Sequence, residues 1–315
     1  MPDDLTPQPA IDAPSQETAV PANVSADRVN PPLQRRELMR ALLAFVGIAI
    51  FLPVLFFLGL HRWLNPNIKE LSLRAVFPVE WMNACMVVLG TWAASRQLRR
   101  PLAALGLPPR QVFGARFWEG ALWGFAMLSG AVFLLHALGD FQFGAPALSG
   151  AAAWKYALAW ALCFLALGVY EETFFRGFFL FVLAHRMGFW FAALLLSAAF
   201  AVAHLGNSGE NIFGILQVFV IGMFFCLTIR RTGSLWFAIG LHAAWDWAQT
   251  FFYGTPDSGL LGVGHYLNSS TSGPRLLTGG SAGPEGSVLA FAIVLLAAGL
   301  IHLRFPDAKY PDRPA

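Results

Sequence analysis

The chain has 315 residues, of which 57% are hydrophobic and only 12% charged. A soluble domain carries about 25% charged residues, so this composition excludes an ordinary soluble protein and implies one built in lipid. The formal net charge is only +3 and no basic run occurs, which excludes nucleic acid as a partner. Residues 1–37 are rich in Pro, Ala, Asp, Gln and Ser, with seven prolines by Pro32, and cannot bury enough apolar surface to order themselves. They read as a disordered cytoplasmic tail with no cleavable signal peptide at its start.

Eight apolar spans follow, at about 39–60, 78–95, 117–138, 152–184, 189–205, 212–229, 234–253 and 287–303. Each is judged against the roughly 20 residues that cross a bilayer. With the N-terminus inside, the inner connections carry 15 Lys and Arg and the outer ones 4. The positive-inside rule thus supports eight spans with both termini cytoplasmic. The fold class expected is all-α, a polytopic membrane helix bundle. The transmembrane domain covers 38–305, with 150–253 as its catalytic core and 306–315 as a short tail. The connections 61–77 and 101–112 read as surface loops. The Gly- and Ser-rich connection 254–286 is long enough to cover a site. Cys85, Cys163 and Cys226 all lie in apolar segments without metal-ligand spacing, and read as small core residues.

Between Lys155 and His185 the only charged residues are Glu171, Glu172 and Arg176. An ionisable group at the centre of a membrane helix costs roughly 2.5–3.5 kcal/mol on insertion scales, so three together imply function. A purely structural ion pair is the plainer alternative. Glu172 and Arg176, four residues apart, share a helix face and can pair. Glu171, turned by about 100°, is left for other work. A carboxylate in a dry site suits a general base near neutral pH.

His204 closes the fifth span, and His242 and Asp246 share one face of the seventh. There a carboxylate can orient the imidazole and fix its tautomer. At 1.5 Å per residue, Glu171, His204 and Asp246 fall roughly 22–24 Å along their helices from the inner membrane edge, and His242 roughly 16 Å. Three spans therefore place ionisable side chains at similar depth, as one polar cavity would require. His136 reads as a satisfied core histidine, and His61, His185, His265 and His302 lie at span ends or in loops.

Glu171-Glu172-x-x-x-Arg176, Phe200-x-x-x-His204 and His242-x-x-x-Asp246, in that order, resemble the three motifs of the CPBP family. That family includes Rce1-type CAAX prenyl proteases and bacterial Abi-like and bacteriocin-processing relatives. The resemblance covers about 150–253. It implies an intramembrane endopeptidase in which Glu171 activates water and Arg176 holds the glutamate pair. His204 would bind or polarise water or the oxyanion, and His242 with residue 246 would stabilise that oxyanion. The family often carries Asn at the last position, where this chain has Asp246. It also implies no required cofactor and a membrane-associated protein or peptide as substrate. If zinc takes part, Glu171, His204, His242 and Asp246 are its candidate ligands, although no HExxH occurs. The alternative is a non-catalytic membrane binding protein or a proton-coupled transporter that uses the same residues as a relay.

Overall fold

The computed structural model describes residues 33–61, 72–207 and 212–314; the expected tail 1–32 lies outside them. The first helix, α1 (Arg35–Val46), is opened by a capping box in which the Gln34 backbone N–H donates to Glu37 at 3.2 Å. Residues 35–37, expected in the tail, are therefore helical. A π-helical stretch (Gly47–Phe51) continues α1 into α2 (Leu52–His61). The helix α3 (Leu73–Leu98) follows, then α4 (Ala115–Ala137) and β1 (Phe141–Gln142). Next, α5 (Gly150–Thr173) runs through a π-helical stretch (Phe174–Phe178) into α6 (Phe179–Met187). This continuous 38-residue rod is about 57 Å long at 1.5 Å per residue, well beyond a hydrocarbon core of roughly 30 Å. The remaining elements are α7 (Phe189–Ala203), α8 (Ile212–Thr232), α9 (Leu235–Asp246) with a π-helical continuation (Trp247–Phe252), β2 (Ser270–Thr271), α10 (Arg275–Thr278) and α11 (Val288–Arg304).

Among the described residues, six helices are long and apolar enough to cross a membrane: 35–58, 73–98, 115–137, 150–187, 189–206 and 212–232. The chain is a polytopic helical bundle whose only strands among these residues, β1 and β2, form one antiparallel pair. Two of the eight expected spans are not among the six. Val288–Arg304 has 17 residues, and Leu235–Phe252 carries His242, Asp246, Gln249 and Thr250, which lower its hydropathy.

The centre of the bundle is α9, with ten of its twelve residues buried. Its first turn is anchored by the connection 101–112, expected as a surface loop. There the Gly106 carbonyl accepts from the Leu235 N–H at 2.8 Å and the Pro108 carbonyl from Trp236 Nε1 at 3.0 Å. Leu105 and Leu107 of this connection are buried. On its flank α9 meets α4 through paired glycines. A Cβ on Gly124 would stand 2.1 Å from the Leu241 carbonyl oxygen, and one on Gly240 2.1 Å from that of Phe117. Small residues let two membrane helices approach backbone to backbone, and here that contact sets the position of His242, one residue after Leu241.

Gly124→Ala is accordingly expected to destabilise the protein by about 1–3 kcal/mol, the usual cost of overpacking. Its control is Gly130→Ala in the same helix, where a Cβ would meet only Ile293 Cδ1 at 3.5 Å. Thermal unfolding of the two variants in one detergent checks this: a lowered Tm for the first and an unchanged Tm for the second.

The C-terminal segment, expected as a short tail, packs on the helix ends. The Arg230 carbonyl accepts from the Lys309 N–H at 2.9 Å. Arg230 and Arg231 donate to the carbonyls of Tyr310 and Pro306. Tyr310 is buried against Phe189 of α7, and Asp312 accepts from the Phe189 N–H at 3.4 Å. Terminal helix carbonyls lack intrahelical donors, and this segment supplies one to Arg230.

Candidate active site

Both halves of the first motif sit where α5 passes into its π-helical stretch. Glu171 and Glu172 end α5, and Arg176 lies within the stretch itself. Another π-helical stretch, Trp247–Phe252, begins directly after Asp246. Single-turn π distortions are frequent at functional sites, and here two of the three described adjoin ionisable residues of one cluster.

Glu172 and Arg176 are fully buried, with Arg176 Nη1 donating to Glu172 Oε1 at 3.0 Å. The guanidinium lies over the rings of Phe200, Phe225 and Phe175, at 4.2, 5.2 and 5.8 Å from their centroids. Such cation–π contacts help hold a desolvated charge. Gly222 of α8 leaves the space: a Cβ there would come within 2.9 Å of Arg176 Nη2. Phe225 also stacks on the His242 ring at 5.3 Å.

The same Glu172 Oε1 accepts from His242 Nδ1 at 2.9 Å. An oxygen that already accepts from Arg176 is an acceptor here, so Nδ1 donates and Glu172 orients the ring. Asp246, expected in that role, instead places Oδ2 3.4 Å from Nε2. The physical reason is the packing of α9 beside α5, which brings Glu172 to Nδ1 first. Glu171 also faces Nε2, with Oε2 at 3.8 Å. Thus Nε2 looks toward two carboxylates, of which Glu171 keeps 18% of its side chain exposed.

Glu171, His204, His242 and Asp246 all line one cavity of about 530 Å³. The structure therefore gathers the four expected residues, with Glu172 and Arg176 behind them. His204 Nδ1 donates to the Phe200 carbonyl at 2.8 Å and its ring meets the Phe200 ring edge-on at 4.5 Å. Its Nε2 takes no part in that bond. Among the described residues no three His, Cys, Asp or Glu side chains converge as metal ligands.

Sequence reasoning misses three further carboxylates on the cavity wall: Glu80 of α3, and Asp257 and Glu285 of the long connection. Glu80 carried a signal, because it is an acidic residue within an apolar span. Asp257 and Glu285 carried none, since loop acids are commonplace. The connection 254–286 does cover one side of the cavity, through Asp257, Ser258, Leu260, Glu285 and Gly286. It is tied down where Gln249 Nε2 donates to the Pro256 carbonyl at 2.8 Å and the Ser258 N–H to Glu285 at 2.6 Å. Burial pushes the Asp257 carboxyl up to about 6, against the lowering effect of the Thr250 hydroxyl, which donates to it at 2.8 Å.

Residues 152–248 match the family model described as type II CAAX prenyl endopeptidase Rce1-like. The match spans all three motifs. Comparison with curated proteins and with solved structures finds no match. With six helices apolar enough to span a bilayer, the protein is an integral membrane protein. Over residues 152–248 the chain is thus similar to the type II CAAX prenyl endopeptidase Rce1-like model, consistent with the CPBP family that its three motifs resemble.

Proposed function

We propose that this protein is an intramembrane endopeptidase that hydrolyses a peptide bond of a membrane-associated protein or peptide with water activated by Glu171. The observation that carries this reading is the division of labour between adjacent carboxylates. Glu172 is buried and bonded to both Arg176 and His242, whereas Glu171 faces the cavity beside His242 Nε2. One carboxylate is thus spent on holding the histidine and the other remains for chemistry.

In the reaction, Glu171 takes a proton from water as the oxygen attacks the substrate carbonyl carbon. The carbonyl π electrons move to oxygen, and His242, protonated on both ring nitrogens between Glu172 and the cavity carboxylates, donates to the resulting oxyanion through Nε2–H, while His204, whose proton is on Nδ1, accepts from the attacking water through Nε2. Glu171 then passes its proton to the leaving nitrogen as the C–N bond breaks. Donors aimed at an oxyanion are typically worth 10²–10³ in rate.

Comparative membrane proteomics of cells carrying the active protein or its Glu171→Gln variant tests the reading. New peptide termini confined to the active protein support it, and identical termini in both contradict it.

Asp246 is a second acceptor or, when protonated, a donor at the oxyanion. Asp246→Asn is expected to keep substantial turnover, because Asn has the same shape and supplies donors. Asp246→Leu removes the polar partner of His242 Nε2, which costs roughly 1–3 kcal/mol before any effect on rate. Turnover of the three proteins against pH decides. An inactive Asn variant would mean that the negative charge itself is required.

A further inference from the structure

The cavity is predominantly acidic, with five carboxylates against two histidines. Among the described residues that line it there are carboxylates from α3, α5, α9 and the long connection, but no Lys or Arg. Arg176 is spent on Glu172 and its aromatic rings and does not reach the wall. Buried polar atoms without a hydrogen-bond partner point the same way. Glu80 Oε2 on α3 and Gln217 Oε1 on α8 are both acceptors on cavity-lining residues, and Gln217 is only 5% exposed. A carboxylate could be satisfied by a proton. The Gln217 carbonyl cannot, and it needs a donor from outside. Trp160 and Tyr170 add aromatic faces to the same wall, and such faces attract cations.

We propose that Glu80, Asp257 and Gln217 form a subsite for a cationic nitrogen of a peptide substrate, beside the bond that is cut. This rests on the endopeptidase reading and deepens it by naming a substrate class. The nitrogen belongs to a Lys or Arg side chain or to an N-terminal ammonium. Glu80 stands close enough to Glu171 for their charges to interact, so a cation between them sits next to the reacting centre. Its charge also offsets the repulsion that several carboxylates in one dry site otherwise create. The Gln217 carbonyl accepts one of its N–H groups, and Asp257 closes the subsite from the side of the connection.

The test uses the purified full-length protein in lipid nanodiscs and matched quenched-fluorescent peptide libraries. They differ in carrying Lys, Gln or Glu at one randomised distance from the bond cut. Each library is made with a free and with an acetylated N-terminus, which separates the side-chain source of the nitrogen from the terminal one. The wild type is expected to favour Lys over Gln peptides by about tenfold or more in kcat/KM, and to disfavour Glu, since like charges repel. Glu80→Gln and Asp257→Asn should each erode the preference, and Glu80→Lys should reverse it toward Glu peptides. Tm values establish that the variants are folded. Loss of the preference on acetylation assigns the subsite to the terminal ammonium.

Binding of the same labelled peptides to the Glu171→Gln protein gives a readout independent of turnover, with Lys peptides bound tighter than Gln peptides. Charge-blind cleavage that still requires Glu171 overturns the subsite and leaves the endopeptidase reading standing. Charge-selective binding without cleavage by the wild type does the reverse. Charge-blind binding together with no cleavage overturns both.

Discussion

Glu171→Gln is expected to abolish peptide hydrolysis while leaving a folded protein. Gln keeps the shape of the side chain but cannot take a proton from water. General-base catalysis is worth roughly 10²–10⁴ in rate, and the same carboxyl also protonates the leaving nitrogen, so the loss belongs at the upper end of that range. Stability should change little, because Glu171 meets its neighbour His242 only at 3.8 Å and is open to the cavity. Turnover and Tm measured on the same preparation check both halves. A Gln variant with near-normal turnover would remove Glu171 from the role of base.

Glu172→Gln should show the opposite balance, with a large loss of stability first. Glu172 and Arg176 are both fully buried, and one Glu172 oxygen serves Arg176 and His242 together. Removing one partner of a buried ion pair costs about 3–5 kcal/mol, because the other charge stays behind in a dry site. The aromatic rings around Arg176 soften this cost but accept no hydrogen bond of the same strength. Turnover falls as well, since the His242 ring is no longer held in place. Chemical denaturation in detergent, paired with assays at a temperature where the variant remains folded, separates the two effects. A Glu172→Gln protein as stable as the wild type would show that Arg176 is held by the rings alone.

The position of the cluster was legible in the sequence because charge is rare in apolar spans. Glu171, Glu172, Arg176, His204, His242 and Asp246 stand out against their surroundings; Glu171, His204, His242 and Asp246 line one cavity, with Glu172 and Arg176 behind them. The finer partnerships were not legible. The spacing of His242 and Asp246 puts them on one face, yet which ring nitrogen each carboxylate meets depends on how α9 lies against α5. That packing depends in turn on close backbone contacts such as Gly168 of α5 with Ile239 of α9. The π-helical stretches at 174–178 and 247–252 have no periodic signature, since they change the backbone bonding pattern without changing residue type. Asp257 reaches the cavity by the folding back of its loop, through contacts such as Gln249 with Pro256. Residues 306–314 look like a polar tail, and only the burial of Tyr310 and its bonds to the end of α8 make them part of the bundle.

The central claim is that water, activated by Glu171, is the nucleophile. The most direct measurement is a single turnover of a membrane-anchored peptide library by excess purified protein in ¹⁸O-labelled water containing a chelator, with the products read by mass spectrometry. The account predicts cuts at defined bonds, one ¹⁸O atom in each new carboxyl group, and no products with the Glu171→Gln protein. Product carboxyls that carry only ¹⁶O in that first turnover would make a protein carboxylate the nucleophile, and an intact library with the wild-type protein would contradict peptide hydrolysis altogether.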